Sequence, residues 1–415
     1  MRILLWHGYL LSGTGSNVYT QAVARAWSRA GHDVTIFCQE PEPGFVDLGG
    51  ARVVRPDLPG RLLPVFVLDA YEGLEPRLLQ DLTAAELDRY VTANASALFE
   101  HLPADLVFCN HVLPGGAVGA ATGARFAVKA HGSELEYSIR GRSDLAEAAR
   151  KALAPAEAVF VGSAHIRRVL EDVVGGLDRV HEVPPGVDVD EFAPQPRGDA
   201  LRDLLDECRR DPPNPGNANA RLPDEGNAAR LERFLEGEKP TILYVGKLLY
   251  NKGVHLLLEA LHGLYARAVV VGFGDYRHQL EQLAPQRTLF TGQLEHRHLV
   301  HLIPVADVAV VPSIFPEAFG MVAAEAAAAG CPPIVARHSG LAEVAEGLEA
   351  AYGERHRELA SFTQGDSVEL QEKLHDLLTL PVDEREQLGA AARSVAIERW
   401  SWENVARRLL EPFTS

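Results

Sequence analysis

An α/β protein of two domains in series is what this sequence predicts, and three observations lead there. At 415 residues the chain is too long for one ordinary domain and comfortable for two. Its first forty residues run strand, turn, helix, strand. From Thr241 a second series of short apolar runs begins, each followed by a turn and a helical pattern. Runs that are apolar throughout, without alternation, suit parallel strands covered on both faces.

Arg2 to His7 reads as the first strand, Leu10 to Ser16 as a glycine- and serine-rich turn, and Asn17 to Arg29 as a helix. Gly31 stops that helix before a β-branched run from Asp33 to Cys38, completing a βαβ unit. Leu106–Cys109, Phe126–Ala130 and Ala158–Val161 continue the series. Thr241–Val245, Ala268–Val271, Thr288–Thr291, Val308–Val311 and Pro333–Val335 form the second, with Val254–Leu264 as a typical helix between them. Between the two lies an irregular stretch rich in proline, asparagine and glycine, with a charged helical stretch on either side. It reads as an interdomain connection enlarged by a surface insertion. The expected divisions are 1–193, a linker or insertion over 194–238, and 239–399. A final amphipathic helix, 400–415, begins with Trp400 and Trp402.

Composition narrows the function classes. Hydrophobic residues at 47% and charged residues at 23% describe a folded protein and exclude disorder. No run approaches the ~20 apolar residues of a spanning helix, and Met1 to Gly8 does not read as a signal peptide. Cys38, Cys109, Cys208 and Cys331 are far apart and form no CxxC pair, so buried thiols of a cytoplasmic protein are expected. A net charge of −17 disfavours nucleic acid and anionic lipid and leans towards a soluble partner. Lysine occurs only at 129, 151, 239, 247, 252 and 373, so any lysine pair stands out.

The strongest constellation is PSIFPEAFGMVAAEAAAAG, from Pro312 to Gly330. A strand should end at Val311, and a helix should begin near Phe319 or Gly320. Helix starts leave amide hydrogens unpaired and carry partial positive charge, which suits a diphosphate. Glu317 and Glu325 bracket the turn. A carboxylate there would repel phosphate, so its task is to accept hydrogen bonds from sugar hydroxyls. Lys247 and Lys252, five apart after another strand, suit a clamp on a diphosphate leaving group. Asp188-Val189-Asp190 fits a DxD metal motif by spelling only. His296, His298 and His301 are spaced wrongly for one helical face.

These residues resemble the EX7E motif and its surroundings in the retaining GT-B glycosyltransferases of family 4. Gly246-Lys247-Leu248 with Asn251-Lys252-Gly253 resembles the family's G-R-L…K-G element, although the family usually has arginine where Lys247 stands. Val271-Gly272-Phe273-Gly274-Asp275 resembles its second glycine turn, and Phe290-Thr291-Gly292-Gln293-Leu294 its base-binding strand end. Ala130-His131-Gly132-Ser133-Glu134 and Pro185-Gly186-Val187-Asp188 occupy expected places in the first half.

The resemblance implies two Rossmann-like domains facing a cleft, with the last helix crossing back to the first domain. It implies His131, Lys247, Lys252 and Glu317 as catalytic residues. Gly15, Gly246, Gln293, Leu294, Phe319, Gly320, Met321, Val322 and Glu325 would bind a nucleoside-diphosphate sugar, with UDP as the leading base. Asn110, His111 and Glu134 would touch a hydroxyl-bearing acceptor. The expected reaction is metal-independent, cofactor-free transfer with retention by a front-face mechanism. A GT-B epimerase and a non-catalytic nucleotide-sugar-binding protein use similar clefts and remain as alternatives. A dinucleotide oxidoreductase fits less well, because Gly13 and Gly15 lack a third glycine partner.

Overall fold

The computed structural model describes residues 1–11, 13, 15–69, 71–214 and 221–414. The chain forms two compact units: Met1–Gly186 with Trp402–Ser415, and Val187–Ser401.

In the first unit, β1 (Arg2–Trp6), β2 (Asp33–Phe37) and β3 (Arg52–Val54) are followed by a separate parallel pair, β4 (Leu62–Val65) and β5 (Glu75–Leu78). Then come β6 (Leu106–Asn110), β7 (Phe126–Lys129), β8 (Ala158–Val161) and β9 (Val180–Glu182). The main sheet has the order β3-β2-β1-β6-β7-β8-β9, and all its pairings are parallel. Ile3, Leu4, Leu5 and Trp6 are all buried, which is why β1 shows no polar alternation. The chain leaves β1 in one direction and returns on its other side, so a crevice opens past the carboxyl ends of β1 and β6. Open α/β sheets bind ligands at such switch points.

The second unit repeats the scheme with β10 (Thr241–Val245), β11 (Arg267–Val271), β12 (Thr288–Phe290), β13 (Val308–Val311), β14 (Pro333–Ala336) and β15 (Ser361–Phe362). The order β12-β11-β10-β13-β14-β15 places its switch point between β10 and β13.

The expected divisions shift in three places. The first unit ends at Gly186, short of 193. The described residues of 194–238 belong to the second unit and are not a free linker. They form helices Arg197–Cys208 and Asn227–Phe234, whose Leu204 and Leu231 join the same hydrophobic core as Ile242 of β10 and Val269 of β11. Their apolar faces are too small for a core of their own but large enough to extend a neighbour's. The last helix runs Trp402–Leu410 and lies in the first unit, while Trp400 stays in the second. Trp27 Nε1 donates to the Ala406 carbonyl at 2.9 Å, and Trp402 lies edge-on to Tyr19. Cys38, Cys109, Cys208 and Cys331 are buried free thiols.

Candidate functional site

At the switch point of the second unit, the two strongest sequence motifs meet. The turn after β10 carries Asn251, Lys252 and Gly253; the loop after β13 carries Pro312 to Gly320. The Asn251 carbonyl accepts from the amides of Ile314 (3.0 Å) and Phe315 (3.1 Å). A Cβ at Gly253 would stand 1.9 Å from the Pro312 carbonyl oxygen, so only glycine permits this contact. Across the junction Lys252 Nζ donates to Glu317 Oε1 at 2.6 Å, with both side chains about three-quarters buried (27% and 23% exposed).

Lys247 is exposed, and its carbonyl accepts from the Tyr244 hydroxyl at 2.9 Å. Burial, and then the Glu317 carboxylate, raise the Tyr244 phenol well above its usual range. Gly246 abuts the second glycine turn so closely that a Cβ on Gly272 would lie 1.8 Å from its carbonyl oxygen. Gly320 precedes the helix Met321–Ala328, and the Ala323 and Ala324 amides fold back onto the Gly320 carbonyl at 3.0 and 3.3 Å. The Met321 and Val322 amides have no hydrogen-bond partner among the described residues. They are donors of the kind an anion uses. Phe319 is buried edge-on against Trp400. Burial pushes the Glu325 carboxyl up to about 7, against the opposing pull of His296.

At the β12 end, Leu294 is buried, and Gln293 keeps a buried side-chain oxygen without a partner among the described residues. Here the insertion contributes something the sequence reading missed. Pro223 bridges to Gly292, and the Thr291 carbonyl accepts from the Asp224 amide and Asn227 Nδ2, both at 2.8 Å. Arg277 grips the Asp224 carboxylate with two hydrogen bonds of 2.9 and 2.6 Å. The expected base-binding edge is therefore braced by the segment set aside as a linker.

The first unit gathers its candidates at the ends of β6 and β7. A one-way chain of hydrogen bonds orients them: Thr20 Oγ1 donates to the Ser16 carbonyl (2.7 Å), and Asn110 Nδ2 donates to Thr20 Oγ1 (3.1 Å). Asn110 Oδ1 therefore faces His131 Nε2 at 2.7 Å, which must carry the proton. Burial, then the neighbouring His111, Lys129 and His7, hold the His131 ring well below its ordinary pKa, so it stays neutral. Glu134 is fully buried and accepts from the amides of His131 (2.9 Å) and Val112 (3.3 Å). Its second oxygen lies 3.5 Å from His111 Nδ1. Burial works to raise the Glu134 carboxyl, but His111 and the backbone amides of His131 and Glu134 outweigh it and leave it lowered. His111 has a left-handed backbone, φ 68°. Gly15 opens the helix Gly15–Arg29, while Ser12 and Thr14 of its turn lie outside the described residues.

Two look-alike motifs resolve into structural roles. Asp188 Oδ1 accepts from the amides of Asp190 (3.2 Å) and Glu191 (3.0 Å), capping its own turn. The three histidines diverge: His296 pairs with Glu191, His298 with Asp211, and His301 with Gln195. His298, Asp211 and Cys208 do gather within metal-ligand reach. Their protons argue against coordination. His298 Nδ1 accepts the Glu295 amide at 3.1 Å, so Nε2 bears the hydrogen and gives it to Asp211 at 2.9 Å. A metal-bound imidazole instead donates from its far nitrogen.

Two parallel α/β units, with an anion-ready helix start beside the second switch point, define the class of GT-B glycosyltransferases, and the comparisons bear this out. Residues 14–186 match the family model "Glycosyl transferase 4-like domain", and residues 228–395 match "Glycosyl transferases group 1". The chain is 29% identical to a D-inositol 3-phosphate glycosyltransferase of Xylanimonas cellulosilytica, over 96% of this chain and 91% of that one. It is 26% identical to a GDP-mannose-dependent alpha-(1-6)-phosphatidylinositol monomannoside mannosyltransferase of Mycobacterium tuberculosis, over 70% of each. Anabaena HepE, solved with UDP, has the same fold at a TM-score of 0.69, with 17% identity over 99% of each chain. The chain belongs to glycosyltransferase family 4.

Proposed function

We propose that this glycosyltransferase moves a sugar from a nucleoside-diphosphate sugar to a hydroxyl acceptor with retention of configuration. The Lys252–Glu317 pair carries the reading, because it puts a cation and a sugar-hydroxyl acceptor side by side at the second switch point. Lys252, Lys247 and the Met321 and Val322 amides would hold the diphosphate. Glu317 would accept from sugar hydroxyls, Glu325 from the ribose, and the Gln293-Leu294 edge would meet the base. As the bond from the anomeric carbon to the phosphate oxygen breaks, the acceptor oxygen bonds on the same face and its proton passes to the departing phosphate. Lysine ammonium groups and amides stabilise the charge that develops there, a task a metal performs in other enzymes. The reading therefore needs no metal and no cofactor.

On the acceptor side, His131 would present a neutral ring, with Asn110, His111 and Glu134 orienting a hydroxyl. Among the described residues no helix is long and apolar enough to cross a membrane. With the acidic charge, this supports a soluble acceptor and a cytoplasmic setting. UDP is our leading base, in line with the UDP bound to HepE; the mannosyltransferase relative uses GDP-mannose.

The test is a thermal-shift panel with UDP, GDP and ADP, in which a ligand at a hundredfold its Kd stabilises by about 2.7 kcal/mol. Transfer assays on the winning donor, with NMR of the product anomer and with added chelator, then follow. An inverted anomer or a chelator-sensitive rate would overturn the mechanism.

A further inference from the structure

Glu317 does not hold its position by its ion pair alone. Its carbonyl accepts from the Gly340 amide at 3.0 Å, and its own amide donates to Ser339 Oγ at 2.9 Å. Both residues come from the start of the helix Ser339–His356, which follows β14. The approach is tight: a Cβ on Gly340 would lie 2.4 Å from the Ala318 carbonyl oxygen.

The hydrogen bonds continue through His338. Its Nε2 is 2.6 Å from the Ser313 carbonyl, which can only accept, so Nε2 carries the hydrogen. His338 Nδ1 then offers a lone pair to Ser339 Oγ, 3.1 Å away. The resulting chain runs one way, from the Glu317 amide to Ser339 Oγ to His338, and from His338 to Ser313. It ties both ends of the loop 313–317 to one turn. Ser313, Ile314 and Phe315 are the residues that dock on the Asn251 carbonyl beside Lys252.

Ser339 makes these contacts from a left-handed backbone, φ 47°, which a serine adopts at a cost. Arg61 and His111 are the other non-glycine residues with positive φ among those described. Glycine would relieve the strain at 339 and lose the hydroxyl, so strain and hydroxyl can be separated.

We infer that Ser339 and His338 are positioning residues that hold the Glu317 backbone, and with it the Lys252–Glu317 pair, in register for the donor sugar. The inference rests on the assignment of Glu317 and Lys252 to the donor site. Neither residue touches the sugar; both act through the loop 313–317.

Ser339→Gly separates this role from a merely structural one. The expected result is a thermal midpoint equal to or above that of the parent, with kcat lower by about tenfold and donor KM changed less than about threefold. Ser339→Ala, which keeps the strain, should show the same kcat loss with a lower midpoint. His338→Ala should lower kcat in the same direction. Independently of activity, 15N chemical shifts of the His338 ring should report hydrogen on Nε2, and the Glu317 amide should exchange faster in Ser339→Gly. If Ser339→Gly keeps full kcat while the parent enzyme transfers sugar normally, the positioning role is wrong and the donor-site assignment stands. If the parent shows no nucleotide-sugar turnover, the donor-site assignment itself fails. Hydrogen on Nδ1 would break the chain as drawn.

Discussion

The two switch points share a topology and differ in charge. Past β10 and β13, a lysine pairs with a glutamate at 2.6 Å beside two amides that have no partner among the described residues, an arrangement that suits the nucleoside-diphosphate sugar proposed above. Past β6 and β7, a fully buried carboxylate sits among imidazoles, and burial holds His7 down to about 3 and His131 well below its normal value. That edge sets one buried carboxylate beside the neutral rings of His7 and His131, held in fixed directions. In the proposed reading, one parallel scaffold carries a diphosphate-binding edge in one unit and a hydroxyl-orienting edge in the other. The difference lies mostly in the loops that follow the strands, with Asn110 at the end of β6 as an exception.

The largest effect should come from Lys252→Ala. Turnover should fall by about 10²–10³, with a smaller loss of donor affinity, because the ammonium acts on charge that grows as the bond breaks. Steady-state kinetics and nucleotide titration check this; equal losses in both would count against a leaving-group role for Lys252. Next comes Arg277→Ala, which leaves the Asp224 carboxylate without its two-pronged partner. The side chains are 16% and 11% exposed, so a stability loss of about 2–3 kcal/mol is expected in urea unfolding, with weaker nucleotide binding.

The pH response should separate the two units. Glu325 has its pKa raised to about 7 from 4.5, so between these values the folded state holds a proton that the unfolded state has lost. Stability from this group falls as pH rises through that window. His7 has its pKa lowered to about 3 from 6.5, so the unfolded state binds the extra proton and stability rises with pH over that range. As pH rises from about 5 to 6.5, amide protection factors, taken relative to the intrinsic exchange rate at each pH, should rise in the first unit and fall around the helix Met321–Ala328. Glu325→Gln should flatten the second trend and leave the first. Parallel trends in both units would contradict the charge contrast. The smallest effect belongs to Lys247→Arg. Lys247 is exposed, and arginine keeps its charge, so donor KM should move less than about threefold.

Much of the second site was legible because its parts are local strings. Asn251-Lys252-Gly253 and Pro312 to Gly320 each carry turn chemistry and charge within a few residues, and rare lysines drew notice. The bracing was not legible. Ser339 and His338 follow a different strand, 22 residues from Glu317 in the closest contact. Thr20 orients Asn110 from 90 residues away. The stretch before β10 looked like a linker because its prolines and glycines break regular structure. Yet Leu204 and Leu231 fill a core, and Asp224 pins the β12 edge.

Strand periodicity, glycine turns and the order of motifs are properties of neighbouring residues, so the amino-acid order alone dictates two parallel α/β units and points to a diphosphate at one helix start. The ion pair of Lys252 with Glu317, the proton position on His131, the clamp of Asp224 on Thr291 and the ownership of residues 187–238 and 402–414 arise only when distant segments pack. Each depends on a hydrogen bond or a burial that no local pattern encodes.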